Sequence, residues 1–279
     1  MARGSLAALA GVGASARVCA GALLAALVTL GVSNPSLAAA EGAARDHFDV
    51  VVIDAGHGGP DRGAVGSRGL AEKAVVLDVA RLLKAELTAR GLTVVLTRDS
   101  DTFVPLETRS ALANDARADL FVSIHANASS SSKPRGIETF FLSLEASDES
   151  SRELARRENE ALQMASPARA ARDPLLALLG DMATNDYMRE SDVFAKLVEK
   201  ELGAADRVAS RGVKQAPFVV LMGVQMPSSL VEIGFLSNPA EEKSLWKATR
   251  RAEIAQALSR AVLAFGKRYD ARRGVTASR

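Results

Sequence analysis

The chain is predicted to be an α/β protein, because short apolar runs alternate with longer segments of helical periodicity from Phe48 onward. Two of the apolar runs, Phe48–Ile53 and Leu120–Ile124, lead into a histidine, and the first histidine is flanked by glycines. Strand ends are the places where α/β folds hold ligands. Since neutral imidazole is a good ligand for transition metals, the two strand ends predict a metal site.

The individual elements follow from periodicity and from residues that start or stop helices. Ala71–Arg90 has apolar residues on one broad face and is followed by Gly91, which predicts a long helix. Pro105 precedes a second predicted helix, Leu106–Ala116. The remaining predicted strands are Thr93–Thr97, Ile137–Leu142, Phe218–Leu221 and Ser229–Glu232, and the remaining helices are Ser151–Gln163, Glu190–Leu202 (ended by Gly203) and Arg250–Tyr269.

The composition indicates a globular protein without a nucleic-acid partner. The 279 residues are 48% hydrophobic and 24% charged, which suits one or two domains with a substantial core. The net charge is only +2, and residues 41–279 carry 33 basic and 33 acidic residues. The one cysteine, Cys19, lies in the N-terminal apolar segment, so the rest of the chain has neither thiol catalysis nor disulfides.

Residues 1–40 have the pattern of a signal peptide. Arg3 and Arg17 form a basic region, Val18–Leu30 is an unbroken apolar run, and Ser36–Ala40 offers small residues for cleavage. The apolar run is shorter than the roughly 20 residues of a membrane span, although an uncleaved anchor remains the alternative. We therefore expect export to the periplasm or cell envelope, with no stable membrane span after cleavage.

The rest of the chain divides into a short linker, one main domain and a tail. Residues 41–47, which include a solvated His47, form the linker, residues 48–269 the domain and residues 270–279 a basic tail. Within the domain, residues 143–189 contain no strand-like run and include breaker residues. Long inserts in compact domains are usually functional or disordered.

Three residues are the candidate metal ligands. Hydrolytic zinc sites keep three protein ligands and one open position, and His57 and His125 supply two. Glu72 is the best third candidate, because it follows the glycine-rich loop Gly58–Gly66, whose backbone can pass close to a metal. An acid that merely favours the helix start is the alternative for Glu72, and each histidine taken alone has a structural explanation. A phosphate-binding loop is disfavoured, since no Gly-Lys-Ser/Thr ending is present.

One acid, Glu232, lies inside the otherwise apolar segment Leu230–Leu236. Burial of a carboxylate there is costly unless the group is paired or catalytic. Metal-assisted hydrolysis needs a general base, so Glu232 is the candidate acid/base. A carboxylate satisfied by buried hydrogen bonds is the alternative.

Four motifs together resemble the zinc-dependent N-acetylmuramoyl-L-alanine amidases of the amidase 3 type. The motifs, in the order found in that family, are Ile53–Gly59, Glu72, Ser123–Asn127 and Val231–Asn238. The resemblance covers roughly residues 48–269 and implies a central, mostly parallel sheet flanked by helices. It also implies His57, Glu72 and His125 as ligands of Zn²⁺ and Glu232 as the catalytic acid/base. The implied reaction is hydrolysis of the amide between the muramoyl lactyl group and L-alanine of peptidoglycan, in cell wall remodelling and daughter-cell separation.

The resemblance also implies a role for the insert. In the cell-division members of the family, an extra helical segment covers the zinc until a partner with a LytM-like domain releases it. Residues 143–189 are similar in place, length and helical character, although the Pro167–Pro174 linker departs from the regulated enzymes. Glu158 is expected to be the inhibitory ligand at the open zinc position, and a solvated charged helix face is the alternative.

Two other functions stay open at this point. Another zinc hydrolase, such as a carboxypeptidase, would cut within stem peptides, but the chain has no His-Glu-x-x-His motif. A non-enzymatic wall-binding or activator module would tolerate replacement of the ligands and of Glu232. Because all four motifs are intact, the amidase is the favoured prediction.

Overall fold

Six strands form one sheet in the computed structural model of the protein, which describes residues 47–161, 183–206 and 210–274. Only the pair β4/β6 is antiparallel, and the other four neighbouring pairs are parallel. The predicted α/β fold with a mostly parallel sheet is therefore confirmed. The strands are β1 (Val50–Ala55), β2 (Thr93–Leu96), β3 (Leu120–Asn127), β4 (Glu138–Leu142), β5 (Val213–Ala216) and β6 (Ser228–Phe235), in the spatial order β2-β1-β3-β6-β4-β5.

In the part of the chain that the structure describes, six helices flank the sheet. They are α1 (Glu72–Thr88), α2 (Leu106–Asp115), α3 (Glu149–Glu158), α4 (Ala183–Asp206), α5 (Pro239–Leu245) and α6 (Ala248–Arg272), with a 3₁₀ turn at Val219–Leu221. The long helices α1, α4 and α6 cover one face, where alternate residues of β3, such as Val122 and Ile124, join the larger core. Phe121 points to the other face and packs with residues of α2 and α3. Side chains alternate between the two faces along β3, and His125 comes four residues after Phe121. The side chain of His125 therefore lies on the same face, toward α2 and α3.

The structure corrects several predicted element boundaries. Phe218–Leu221 is not a strand: its consecutive apolar residues form a buried 3₁₀ turn, and the edge strand is β5 just before it. Gly203 does not end a helix, because α4 continues to Asp206. β3 runs through His125 to Asn127, because its backbone stays paired with β6. α5 was not predicted at all.

Parts of the sequence-based prediction fall outside the described residues. These are the signal peptide and most of the linker before His47, the breaker-rich segment Ser166–Pro174 of the insert, and the end of the basic tail. His47 is exposed, as expected of a linker residue. In the part of the chain that the structure describes, no helix combines the length and apolar character needed to cross a membrane.

Candidate metal centre

The four side chains expected at the metal come from four different elements. His57 follows β1, Glu72 is the first residue of α1, His125 lies near the end of β3, and Glu158 is the last residue of α3. One ligand atom from each lies within 4.8 Å of all the others. The structure thus brings together the three predicted ligands and the predicted inhibitory residue.

The spacing of the four ligand atoms fits a single small cation. His57 Nε2 lies 3.0 Å from Glu72 Oε1 and 3.2 Å from Glu158 Oε2. His125 Nδ1 lies 3.1 Å from Glu72 Oε1 and 3.0 Å from Glu158 Oε2. Ligands about 2.1 Å from a tetrahedral zinc ion are about 3.4 Å apart. The observed cluster is therefore close to the required size.

Two atoms of the cluster have no hydrogen-bond partner. His57 Nε2 and Glu158 Oε2 are buried, and neither makes a hydrogen bond within the described residues, although only 3.2 Å separates them. Buried polar atoms are nearly always hydrogen-bonded, so such exceptions need an explanation. Lone pairs directed at a common metal position explain both atoms, and the residues present therefore fit a metal ion.

Asp61 orients the first histidine and was missed in the sequence. Its Oδ2 lies 2.9 Å from His57 Nδ1, and its Oδ1 accepts a hydrogen bond from the Gly63 amide at 3.0 Å. We assign the His57 proton to Nδ1, since a carboxylate accepts there, and this leaves the Nε2 lone pair for a metal. The spacing of four residues between His57 and Asp61 was the available signal.

Glu72 is buried rather than exposed at the helix start. Its side chain is only 2% exposed, and both oxygens accept backbone hydrogen bonds, from Ala126 to Oε1 at 2.9 Å and from Ala64 to Oε2 at 2.8 Å. A carboxylate that only favours the helix dipole has no need of such burial. The two amides hold Glu72 between the glycine-rich loop and β3.

Two glycines allow the backbone to approach the ligands. A Cβ atom on Gly56 would lie 2.5–2.9 Å from three ring atoms of His125. On Gly63, which has a φ of +61°, a Cβ would lie 2.5 Å from Glu72 Oε2. The structure therefore has the close backbone approach that was expected of this loop. A side chain at either glycine would collide with a ligand residue.

Two buried arginines hold the strand end that carries His57. Arg98 donates to the carbonyl of Ala55 at 2.9 Å, and Arg109 donates to the carbonyls of Ala55 and His57 at 2.7 and 2.8 Å. His57 has a φ of 61°, which a non-glycine residue adopts at a cost. Nothing in the local sequence indicates this role, because both arginines lie more than 40 residues away along the chain.

Glu232 is placed beside the cluster without a hydrogen-bond partner. It is fully buried, and both side-chain oxygens lack a partner among the described residues. Across the sheet it pairs with His125 of β3 on one side and with Glu138 of β4 on the other. The alternative prediction for Glu232, a structural carboxylate satisfied by buried hydrogen bonds, is therefore wrong for the described residues.

The acidic cluster shifts the ionisation of its members. Burial raises the pKa of Glu232 well above its ordinary value, and the positive charge of His125 offsets only part of this. Burial lowers the pKa of His125, but the negative charge of Glu158, 3.0 Å away, and the hydrogen bond to Glu72 raise it to about 10. For Glu72, burial raises the pKa, and the two histidines lower it further than burial raises it. The carboxylates thus stabilise positive charge at the centre of the cluster.

A cleft of about 490 Å³ opens at the cluster. His57 and Gly63 line one side of it, and Arg157, Glu158 and Ala161 of the α3 region line the other. The size is within the range of small-molecule sites. A substrate that reached the cluster through this cleft would contact α3.

An α/β sheet that holds a His/Glu cluster beside a buried carboxylic acid has the arrangement of a metal-dependent hydrolase. Residues 51–264 match a family model, amidase 3, whose description is N-acetylmuramoyl-L-alanine amidase. The chain belongs to this family. Its activity is hydrolysis of the N-acetylmuramoyl-L-alanine amide bond of peptidoglycan, as predicted, rather than peptidase or purely binding activity.

Relatives and solved structures agree with this assignment. The chain is 39% identical over 223 residues to the amidase AmiA of Escherichia coli K12, covering 79% of this chain and 77% of AmiA. It is 41% identical over 215 residues to AmiC of Neisseria meningitidis, covering 76% of this chain and about half (51%) of AmiC. The catalytic domain of the amidase CwlV from Bacillus (Paenibacillus) polymyxa var. colistinus superposes with a TM-score of 0.58 at 32% identity, covering 78% of this chain and 98% of that one.

Proposed function

We propose that the amidase reaction depends on a zinc ion held by His57, Glu72 and His125, with Glu158 at the fourth position. The observation that carries this proposal is the convergence of four ligand atoms within 4.8 Å, two of which are buried without hydrogen-bond partners. Imidazole and carboxylate ligands together suit zinc. Asp61 supports the site by fixing the tautomer of His57.

Glu232 is the proposed acid/base of the reaction. A bound zinc ion would polarise the scissile carbonyl and make a neighbouring water more acidic. The carboxylate of Glu232 takes a proton from the attacking water, and its acid form then donates that proton to the departing L-alanine nitrogen. The burial that raises the pKa of Glu232 keeps the acid form available for the second transfer.

The proposed role of α3 is to block the site. Glu158 Oε2 lies within 3.2 Å of both histidine ligand atoms, so it fills the position that water or substrate needs. Arg157 of the same helix donates to the Ala128 carbonyl and to Asn127 Oδ1, and these bonds hold the helix end against β3. Activity then requires that α3 moves away.

A partner with a LytM-like domain is the proposed agent of release. The resemblance of the insert to the regulated cell-division enzymes supports this partner. A solved structure of the CwlD amidase from Clostridioides difficile, 26% identical, contains the GerS lipoprotein. Amidases of this fold therefore do form complexes with other proteins.

The proposed site of action is the periplasm or cell envelope, in cell wall remodelling and daughter-cell separation. Support for export comes from the basic, apolar and small-residue pattern of residues 1–40. The peptidoglycan substrate is itself outside the cytoplasmic membrane. Separation of daughter cells is supported by the likeness of the insert to that of the cell-division amidases.

Digestion of purified peptidoglycan tests the zinc site and the block together. The zinc-loaded chain from residue 41 and its variants are incubated with peptidoglycan, and stem peptides with a free L-alanine amine are measured by mass spectrometry. We expect Glu158→Ala to release peptides at least about tenfold faster than the native chain, because the blocking ligand is gone. Glu232→Ala is expected to release none while still binding zinc.

Glu149→Ala is the matched control, because Glu149 is on the same helix, is 80% exposed and, within the described residues, pairs with a nearby surface arginine. It should leave the rate unchanged. Equal rates for the native chain and Glu158→Ala would reject the block and leave the zinc site standing. A folded native chain that binds no zinc would reject the metal proposal itself.

A further inference from the structure

The short helix α5 carries two adjacent acids that contact two different parts of the site. Glu242 is fully buried. Its Oε1 accepts hydrogen bonds from the amides of Arg68 at 2.8 Å and Leu70 at 3.3 Å, and its Oε2 accepts one from the Ser67 hydroxyl at 3.0 Å. Because a buried carboxylate is costly without such donors, this turn and Glu242 stabilise each other.

The turn held by Glu242 leads directly into Glu72. The Glu72 amide donates to the Ala64 carbonyl at 2.9 Å, while the Ala64 amide donates to Glu72 Oε2 at 2.8 Å. Val65 and Ala71 also form a backbone bridge. Residues 64–72 thus form a loop whose two ends are joined by the bonds between Ala64 and Glu72. Its middle, residues 67–70, is held by Glu242, so the position of the middle of the loop determines how Glu72 is presented.

Gly66 makes room for the Glu242 carboxylate. A Cβ atom at this position would lie 2.2 Å from Glu242 Oε1. The φ of Gly66 is not positive, so the backbone conformation does not require glycine there. The requirement is for space, and it shows that the loop is packed closely onto the carboxylate.

Glu241 makes similar hydrogen bonds near Glu232, the proposed acid/base. Its Oε2 accepts a hydrogen bond from the Phe235 amide at 2.7 Å, and its Oε1 accepts one from the Gly136 amide at 2.8 Å. Phe235 ends β6 three residues after Glu232, and Gly136 precedes β4, whose Glu138 pairs with Glu232. Glu241 therefore joins the two strand ends that flank Glu232.

We propose that α5 positions both halves of the catalytic site through these two acids. Glu242 is a positioning residue for the ligand Glu72, and Glu241 is a positioning residue for the acid/base Glu232. Neighbouring residues on a helix point about 100° apart, so one short helix can hold both sides. The inference rests on the zinc and acid/base roles proposed above.

Two glutamine variants separate the two roles. Glu242→Gln keeps the shape of the side chain but replaces one acceptor oxygen by an NH₂ donor. This donor would face the amide and hydroxyl donors of the turn. The zinc affinity of this variant, measured in the full chain by competition with a coloured chelator, should fall about tenfold, as for other outer-shell changes. Glu241→Gln should keep the native zinc affinity within about twofold, and its kcat at saturating zinc should fall about tenfold. The kcat values are compared in the Glu158→Ala background, so that α3 does not compete.

A second variant leaves both acids unsubstituted. Gly66→Ala pushes the Glu242 carboxylate away from the turn, and it should weaken zinc binding in the same direction as Glu242→Gln. If Glu242→Gln fails to fold, as judged by circular dichroism of the zinc-free protein, Gly66→Ala carries the test. Glu253→Gln is the control for the same chemical change at an exposed position of α6, and its zinc affinity should equal that of the native chain.

The outcomes distinguish this inference from the proposed function. If the native chain binds zinc and both Glu242→Gln and Gly66→Ala bind it equally well, the positioning role of Glu242 is wrong. If Glu241→Gln loses as much zinc affinity as Glu242→Gln, α5 is a general scaffold and the division of roles is overturned. If the folded native chain binds no zinc, the proposed metal site fails, and this inference fails with it.

Discussion

The side chain of Asp61 decides how His57 can act. It accepts a hydrogen bond from His57 Nδ1 at 2.9 Å and another from the Gly63 amide, so it fixes the ring and the loop together. Arg109 holds the carbonyl of His57, and both contacts maintain a left-handed backbone. A ligand presented in this way has little freedom left to lose when a metal binds.

Asp61→Ala is expected to weaken zinc binding about 10- to 100-fold, because His57 loses the acceptor that selects its tautomer. The measurement is the zinc dissociation constant by chelator competition at constant pH. Asp186→Ala is the control, since Asp186 is 81% exposed and, among the described residues, pairs with Arg189 on the same helix. Unchanged zinc affinity in Asp61→Ala would show that the rest of the site fixes His57.

At the scale of elements, α3 is attached to the domain by polar contacts at its two ends and by Leu154 and Ala155, which are buried in the apolar core of that face. At the start, Ser147 exchanges two hydrogen bonds with Gln215 of β5. At the end, Asn159 donates to the Pro217 carbonyl and accepts from the Val219 amide, both at 2.9 Å. Water can replace the polar bonds, and the remaining cost of release is exposure of Leu154 and Ala155, which is smaller than the cost of unfolding the whole core.

Asn159→Ala should raise basal amidase activity if α3 blocks the site. Loss of two hydrogen bonds costs the docked state about 1–3 kcal/mol, which corresponds to about 5- to 150-fold in the equilibrium between docked and released helix. Release of stem peptides from peptidoglycan by the zinc-loaded variant measures the effect.

Asn114→Ala is a matched control for this change. Asn114 of α2 makes the same pair of backbone bonds, to Gly223 and from Gln225, but neither bond involves α3. It should lose similar stability without a gain in activity. An equal gain in both variants would indicate general loosening of the domain rather than release of α3.

At the scale of the whole molecule, a buried ion pair lies at the carboxyl end of β1. Arg109 of α2 donates to Asp54 of β1 at 2.7 Å, and Thr97 and Ser123 donate to the same carboxylate. Burial raises the pKa of Asp54, but the charge of Arg109 and these hydrogen bonds lower it further, so that it ends below its ordinary value. The pair and its two hydroxyl partners join β1, β3 and the residue that follows β2 to α2.

Asp54→Asn should lower the free energy of unfolding by about 3–5 kcal/mol at pH 7, because it leaves Arg109 buried without its partner. A carboxyl with a depressed pKa contributes stability above its unfolded pKa, near 4, and loses that contribution as the pH falls through its folded pKa. The difference between native and variant should therefore narrow below about pH 4.

Urea unfolding of the zinc-free proteins at pH 7 and pH 3 measures both quantities. The control is Asp192→Asn, which removes one surface pair with Lys196 and should cost less than about 1 kcal/mol. A difference between native and Asp54→Asn that stays constant from pH 7 to pH 3 would contradict the assignment to Asp54.

The elements that could be predicted from the sequence are those whose signals are local. Ala71–Arg90 and Arg250–Tyr269 were predictable as helices because their apolar periodicity is local, and the structure has α1 and α6 there. β5 was missed because Val213–Ala216 is a half-buried edge strand whose pairing with β4 is long-range. α5 was missed although Asn238 and Pro239 are a standard helix start, because the helix has only seven residues.

The sequence by itself determined the fold class and predicted His57, Glu72 and His125 from strand ends, glycines and a helix start, which are local signals. Glu158 was predicted only from the resemblance of the insert to that of the cell-division amidases. The tertiary structure alone decided which groups support them. Asp61 was four residues from His57, but Arg98, Arg109 and Glu242 come from distant segments that meet the site only after folding. Supporting contacts depend on the packing of whole elements, and no local pattern of residues encodes that packing.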